Sequence, residues 1–360
     1  IAVRLLVPLA ILRYPLPAIV AALVVDAADQ TIFQKTTDLS LDNYQNYDKA
    51  LDIYYLSIAY LAVYRNWADP FAVGVARFLW YYRLVGVALF EILHQRWLLF
   101  VFPNTFEYFF IAYCAVQTQW DPRRMSHRAV VGLAAFIWVF VKLPQEWWIH
   151  IAQNDFTDFM HETVFGVDPE TPWLEAFANR PLVSLALVVG IAALVVAGIA
   201  LRSRLPARDW SFGVDMDRSD APVRRVGQAW TTLRWALIEK LALIGLITTI
   251  FTSVLNIDAT ALQLIGATVL LVFVNAGLSG WLARRGMSWS SLGVEFVVLG
   301  VTNAVLLSSY ASLVGDGRLG RRVSLFFGLL LTLQIVLFDR YRPARDAASP
   351  ADPTIAAAPA

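Results

Sequence analysis

From Pro181 to Leu201 the chain runs without one charged side chain. A stretch of that length crosses the hydrocarbon core of a bilayer, which takes about 20 apolar residues. It is one of about ten such runs, at roughly 2–25, 50–66, 71–93, 97–119, 129–151, 181–201, 232–254, 259–282, 291–314 and 322–339. Inside lipid every backbone polar group must be satisfied within the protein, so only helices or closed barrels span it. Runs without two-residue alternation argue for helices. The expected fold is all-α: a polytopic transmembrane helix bundle of about ten spans.

Composition removes the competing classes. Hydrophobic residues make up 58% of the chain and charged residues 16%, against about 25% charged in soluble domains. That excludes an ordinary soluble enzyme, a disordered protein and a disulfide-rich secreted domain. The net charge of +1 gives nucleic acid no foothold, and Cys114, the single cysteine, excludes an internal disulfide or a cysteine-rich metal site. Membrane lipids are the expected partners. The chain begins on Ile1 and is read as a fragment or processed form, with residues 1–25 as a first helix made irregular by Pro8, Pro15 and Pro17.

Arginine placement sets the expected orientation. Arg65, the group Arg123, Arg124 and Arg128, the loop from Arg202 to Arg225, the pair Arg284 and Arg285, and Arg340, Arg342 and Arg345 all fall on one side of a ten-span chain. The opposite side receives Asp38, Asp42, Asp155, Asp158, Glu162, Asp168, Glu170, Glu175 and Asp258. Both termini are therefore expected to be cytoplasmic, in a plasma (inner) membrane, read as bacterial. Arg318, Arg321 and Arg322 run against the rule.

Four regions are expected. Residues 1–202 form a charged membrane core. Residues 203–230 form a cytoplasmic linker whose end, Val223–Leu233, makes a basic surface helix. Residues 231–341 form a second, more apolar bundle that reads as scaffold. Residues 342–360 form a disordered Ala/Pro-rich tail. Small residues of the eighth run (Gly266, Ala267, Ala276, Gly277, Gly280) permit close packing and a homo-oligomer.

The intramembrane charges concentrate in the first five runs, and ionisable residues in lipid point to function. Arg83 lies mid-run in Trp80-Tyr81-Tyr82-Arg83-Leu84, with Glu107 as its expected partner. Asn104 and Glu107 have capping-box spacing, so a helix is expected to restart at Asn104. Such a restart lies either inside the bilayer, where its positive end suits an anion, or at the outer interface. Lys142 and Glu146 are four apart and expected to pair around Pro144. Asp26, Asp29 and Gln30 share one helix face, and Asp48 and Asp52 share another, with Tyr55 a turn further. His94, His150 and His161 collect on the outer side with carboxylates, but no compact metal motif is present and no cofactor is implied.

Two functional readings follow. In the first, Arg83, Glu107, Lys142, Glu146, Asp52 and His150 line a polar route across helices 1–5 of a transporter or channel for an ion or small solute. In the second, the outline is similar to membrane glycosyltransferases that use lipid-phosphate sugar donors. There Asp26 or Asp29 would act as general base, with Arg96, His94 or Arg180 on the donor phosphate. A scaffold subunit of a membrane complex is the third and plainest alternative.

Overall fold

The structure, a computed structural model, describes residues 2–36, 41–202, 230–254, 261–284, 297–306 and 321–348. All regular structure among them is helical. Four helical stretches are long and apolar enough to cross a membrane: Pro70–Leu93, Trp97–Gln117, His127–Ile151 and Pro181–Ala200. The linker 203–229, most of the basic segment Val223–Leu233, Asp38, the Arg318 loop and the tail from 349 lie outside the described residues.

The first apolar run is not one helix. Helix α1 (Ala2–Leu6) passes into a 3₁₀ segment, Val7–Leu12, and the chain turns at Arg13 and Tyr14 before α2 (Pro15–Thr36). A straight helix would hold Arg4 and Asp26 roughly 33 Å apart at 1.5 Å per residue; here they form an ion pair. The expected single span over 2–25 is thus a helical hairpin. Pro8 and Pro15 remove backbone donors, and Arg13, exposed at the turn, marks the reversal. The carbonyls freed there are capped from α3 (Leu41–Asn66): Tyr54 donates to Leu5 O (2.9 Å), and Arg65 and Asn66 both donate to Leu12 O (2.7 and 3.1 Å).

Helix α3 is the axis of the molecule. From Ile53 to Tyr64 every side chain is buried. Helix α4 (Pro70–Leu93) packs beside it, started by Asp69, whose carboxylate accepts from Phe71 N, and stopped at His94 in the left-handed region. The next span is interrupted: α5 (Trp97–Val101) ends and α6 (Thr105–Gln117) begins across Phe102-Pro103-Asn104. Then comes one long rod. It contains α7 (His127–Phe136), a π segment Ile137–Lys142, α8 (Leu143–Glu146) and a second π segment Trp147–Ile151.

A small cap follows. Helix α9 (Phe156–Phe159), the π segment Met160–Phe165 and α10 (Trp173–Asn179) close on Phe165 and Ala176, with Arg180 and Asn179 donating to Val164 O and Phe165 O. Helix α11 (Pro181–Arg202) leaves nearly all of its apolar side chains exposed. Helix α12 (Trp230–Val254) lies against α3 and α4, and α15 (Arg321–Ala348) against α3 and α12; α13 (Ala261–Arg284) packs on α12, and α14 (Val297–Leu306) is tied to α13 and α15 by hydrogen bonds. One contiguous apolar core runs through both parts of the chain. A buried chain of hydrogen bonds, Asn275 to Asn303 (2.7 Å) to Thr332 (2.9 Å), ties α13, α14 and α15.

Candidate functional site

The site is built around the break between α5 and α6. Pro103 cannot donate a hydrogen bond, so the helix opens and leaves backbone groups without helical partners. Side chains from two other elements supply them. From α4, Arg83 Nη1 donates to Phe102 O (2.9 Å) and the Tyr82 hydroxyl donates to Val101 O (2.9 Å). From α8, Glu146 Oε1 accepts from Asn104 N (3.1 Å). A cation thus meets the carbonyl end of one half-helix and a carboxylate meets the amide end of the other, which complements both dipoles. Gly86 allows the approach: a Cβ there would overlap the Phe102 side chain.

Glu107, in the first turn of α6, is buried. Its Oε1 accepts from the Tyr55 hydroxyl of α3 (2.5 Å) and its Oε2 from Asn104 Nδ2 (2.7 Å). Glu146 also pairs with His150 Nε2 at 3.0 Å. The buried Lys142 donates to Gln145 Oε1 (3.0 Å) and stands 4.0 Å from the centre of the Tyr108 ring. One turn from Tyr55, Asp52 accepts from Arg4 Nη2 (3.0 Å), and Arg4 pairs with Asp26 as well. Arg4 is 5% exposed. A small cleft lined by Arg4, Pro8, Ala22, Asp26, Leu51 and Tyr55 opens beside this pair.

Most of the sequence candidates are therefore neighbours, but with other partners than the spacing implied. Arg83 does not pair with Glu107, because the open Phe102 carbonyl takes its guanidinium. Lys142 does not pair with Glu146, because a π segment ends at Lys142 and its amine turns to Gln145 and Tyr108. Asn104 and Glu107 do not make a reciprocal capping box, since the Asn104 amide N–H goes to Glu146. Asp29 lies on α2, and its side chain lies outside the described residues, as does that of Asp48. His161 packs on the Trp173 ring at 4.3 Å and bonds Thr157 O, apart from the Glu146–His150 pair.

A second buried polar cluster stands further along α3. Glu239 of α12 accepts from the hydroxyls of Tyr60 (2.5 Å) and Tyr64 at Oε1 and from Arg342 Nε of α15 (2.8 Å) at Oε2. Arg77 Nη1 lies 3.8 Å away, and Lys240 pairs with Asp339 at 2.7 Å. Between the clusters lie three fully buried rings: Tyr60, Trp80 and Phe106. Tyr60 and Trp80 stack at 5.8 Å, and Trp80 and Phe106 lie 5.4 Å apart. Along α3 the step from Tyr55 to Tyr60 is only about 7.5 Å.

Arg4 and Glu239 were missed by sequence reasoning. Arg4 is near the start of a run treated as ordinary apolar helix, and Glu239 is in the part read as scaffold. The usable signal was the same for both: an ionisable residue within an apolar run. No protein-family model matches the chain, and no curated protein or solved structure matches it either.

Proposed function

We propose that the chain is a multi-pass membrane transporter or channel that moves an ion through the polar network centred on Glu107. The observation that carries this reading is the broken helix α5–α6 within a stretch apolar enough to span a bilayer. Irregular backbone at membrane depth is tolerated where protein buries it or a polar cavity meets it, and such breaks hold ions in transporters. Ionisable groups at that depth are costly, by at least a few kcal/mol unless paired, and function is the usual reason they persist. Arg83, Glu107, Lys142, Glu146, Asp52 and His150 form the route, and Asp26 and Arg4 stand at its mouth. The rings of Tyr60, Trp80 and Phe106 close it. The positive end of α6 already carries two carboxylates of the protein, so it is not free to hold an anion. Of the two carboxylates the transferase alternative would use, Asp26 is held by Arg4, and the side chain of Asp29 lies outside the described residues.

The test is ion flux into proteoliposomes under an imposed potential, with sodium, potassium and proton gradients in turn. The wild type is expected to pass one of them, and Glu107→Gln to lose at least nine-tenths of that flux while keeping its elution profile in detergent. Wild-type vesicles no leakier than empty ones, with every gradient, would end the reading.

A further inference from the structure

We propose that Glu107 is a proton-binding group, loaded and unloaded through the Tyr55 hydroxyl from the cleft beside Arg4, Asp26 and Asp52. The proposal rests on the transport reading and names its ion as the proton.

The carboxyl comes first. Glu107 is 5% exposed, on a helix within an apolar span. Its two hydrogen-bond donors are both neutral: the Tyr55 hydroxyl (2.5 Å) and Asn104 Nδ2 (2.7 Å). Among the described residues no basic side chain lies within 4.0 Å of its oxygens. Arg83 is turned to Phe102 O, and Lys142 to Gln145 and the Tyr108 ring. The other carboxylates of the network do have such partners: Glu146 touches His150, and Asp26 and Asp52 touch Arg4. A buried carboxylate with no counter-ion in contact is costly, and a proton on it removes the cost.

The path comes second. Tyr55 lines the cleft, which has room for about one water molecule. The Asp26 and Asp52 side chains are partly exposed, so water reaches that side. They share one guanidinium, which leaves a negative charge there to draw cations in. A hydrated metal ion is too large for such a cleft, whereas a proton travels along hydrogen bonds. A hydroxyl both donates and accepts, so Tyr55 can bond Glu107 in either charge state, while Asn104 Nδ2 only donates. The proton therefore lands on Oε1. In the loading step the Tyr55 O–H bond breaks and its proton forms an O–H bond at Oε1. The Tyr55 oxygen takes a replacement proton from hydronium in the cleft, leaving water. Unloading is the reverse.

The charged and titratable groups facing Glu107 are Asp26 from α2, Tyr55 from α3, Arg83 from α4, Tyr108 on its own helix, and Lys142 and Glu146 from the long rod. With Glu107 protonated, Asp26, Asp52 and Glu146 match Arg4, Arg83 and Lys142 in number, so uptake leaves the network neutral.

The experiment is infrared spectroscopy of the purified full-length chain in detergent, titrated with pH in light and heavy water, with pH-jump kinetics. The difference between wild type and Glu107→Gln separates this group from the other carboxyls. A carboxylic-acid C=O band is expected that fades as pH rises, shifts in heavy water and is missing from Glu107→Gln. Glu107→Asp covers the case in which the glutamine does not fold: the band is expected at a new frequency, and an unmoved band overturns the proposal. Gly74→Ala, where nothing lies within 4 Å, is expected to leave the band unchanged. Tyr55→Phe keeps the ring and deletes the relay, so the band is expected to remain but to answer a pH jump roughly tenfold or more slowly. A wild type without a band that Glu107→Gln lacks, or a Tyr55→Phe response as fast as the wild type's, overturns the proposal. Sodium or potassium flux from a protein whose Glu107 takes no proton overturns it and leaves transport standing. Proton uptake at Glu107 in a protein that passes no ion supports the site and removes the transport reading alone.

Discussion

Arg83 and Glu146 stand on opposite sides of one break: the guanidinium holds the last open carbonyl of the first half-helix, and the carboxylate holds the first open amide of the second. Each side chain does what the missing residue-to-residue helix bond would have done. The break is a fixed part of the fold, and its two supports come from separate elements.

The two supports are part-buried, and substitutions at them differ in what they remove. Arg83→Leu deletes a charged donor, and hydrogen bonds to charged groups are worth about 1.5–3 kcal/mol. Glu146→Gln keeps an acceptor oxygen for Asn104 N. Thermal unfolding in detergent, read by tryptophan fluorescence, is expected to show a clear loss of Tm for Arg83→Leu and a smaller one for Glu146→Gln. Equal losses would mean that the charge, not the bond, matters.

Gly86 has a steric duty. A methyl group there meets Phe102 and must push the break away from α4, and overpacking of this kind costs about 1–3 kcal/mol. Gly86→Ala is expected to unfold at lower temperature. Gly74→Ala, on the same helix in open space, is expected to match or exceed the wild type, since alanine favours helix. The pair controls for helix propensity.

Arg4 ties the two arms of the hairpin together through Asp26 and the hairpin to α3 through Asp52; the two carboxylate side chains are 31% and 43% exposed. Because water reaches both carboxylates, Arg4→Ala costs less than breaking a fully buried pair; about 1–3 kcal/mol is expected. Arg4→Lys keeps the charge but not the reach to two partners at once, so its Tm is expected to fall between the two. Limited proteolysis should find new cleavage near Arg13 in Arg4→Ala and not in Arg4→Lys.

The Asn275–Asn303–Thr332 chain offers a test of the rear helices. Asn303→Leu removes the middle link, while Asn275 keeps Leu271 O and Thr332 keeps Gly328 O as partners within their own helices. Interhelical hydrogen bonds in membrane proteins average about 0.6 kcal/mol and reach about 1.7. A modest fall in Tm is expected, with ion flux unchanged. A collapse in flux would draw α13 and α14 into the route.

Which side chains meet around the break was largely readable from the sequence; their partners were not. Arg83, Glu107, Lys142 and Glu146 stand out because apolar runs make any charge conspicuous. Their pairing was misjudged for a physical reason. The four-residue rule assumes an unbroken α-helix, whereas Lys142 closes a π segment, where spacing widens. The Arg83–Glu107 pairing assumed that a charge seeks a charge, but a broken helix competes with its own carbonyl. The first run looked like one span because hydropathy is blind to direction. The turn at Arg13 and Tyr14 and the Arg4–Asp26 contact reveal the reversal.

Tyr60 belongs to two structures at once. Its ring is one of the three fully buried ones between the two polar clusters, and its hydroxyl is one of the two held by Glu239 Oε1. The ring cannot swing aside while the hydroxyl stays on Glu239. Displacing that ring and releasing Glu239 are therefore one mechanical event, and α12, far along the chain from the charged network, is coupled to it.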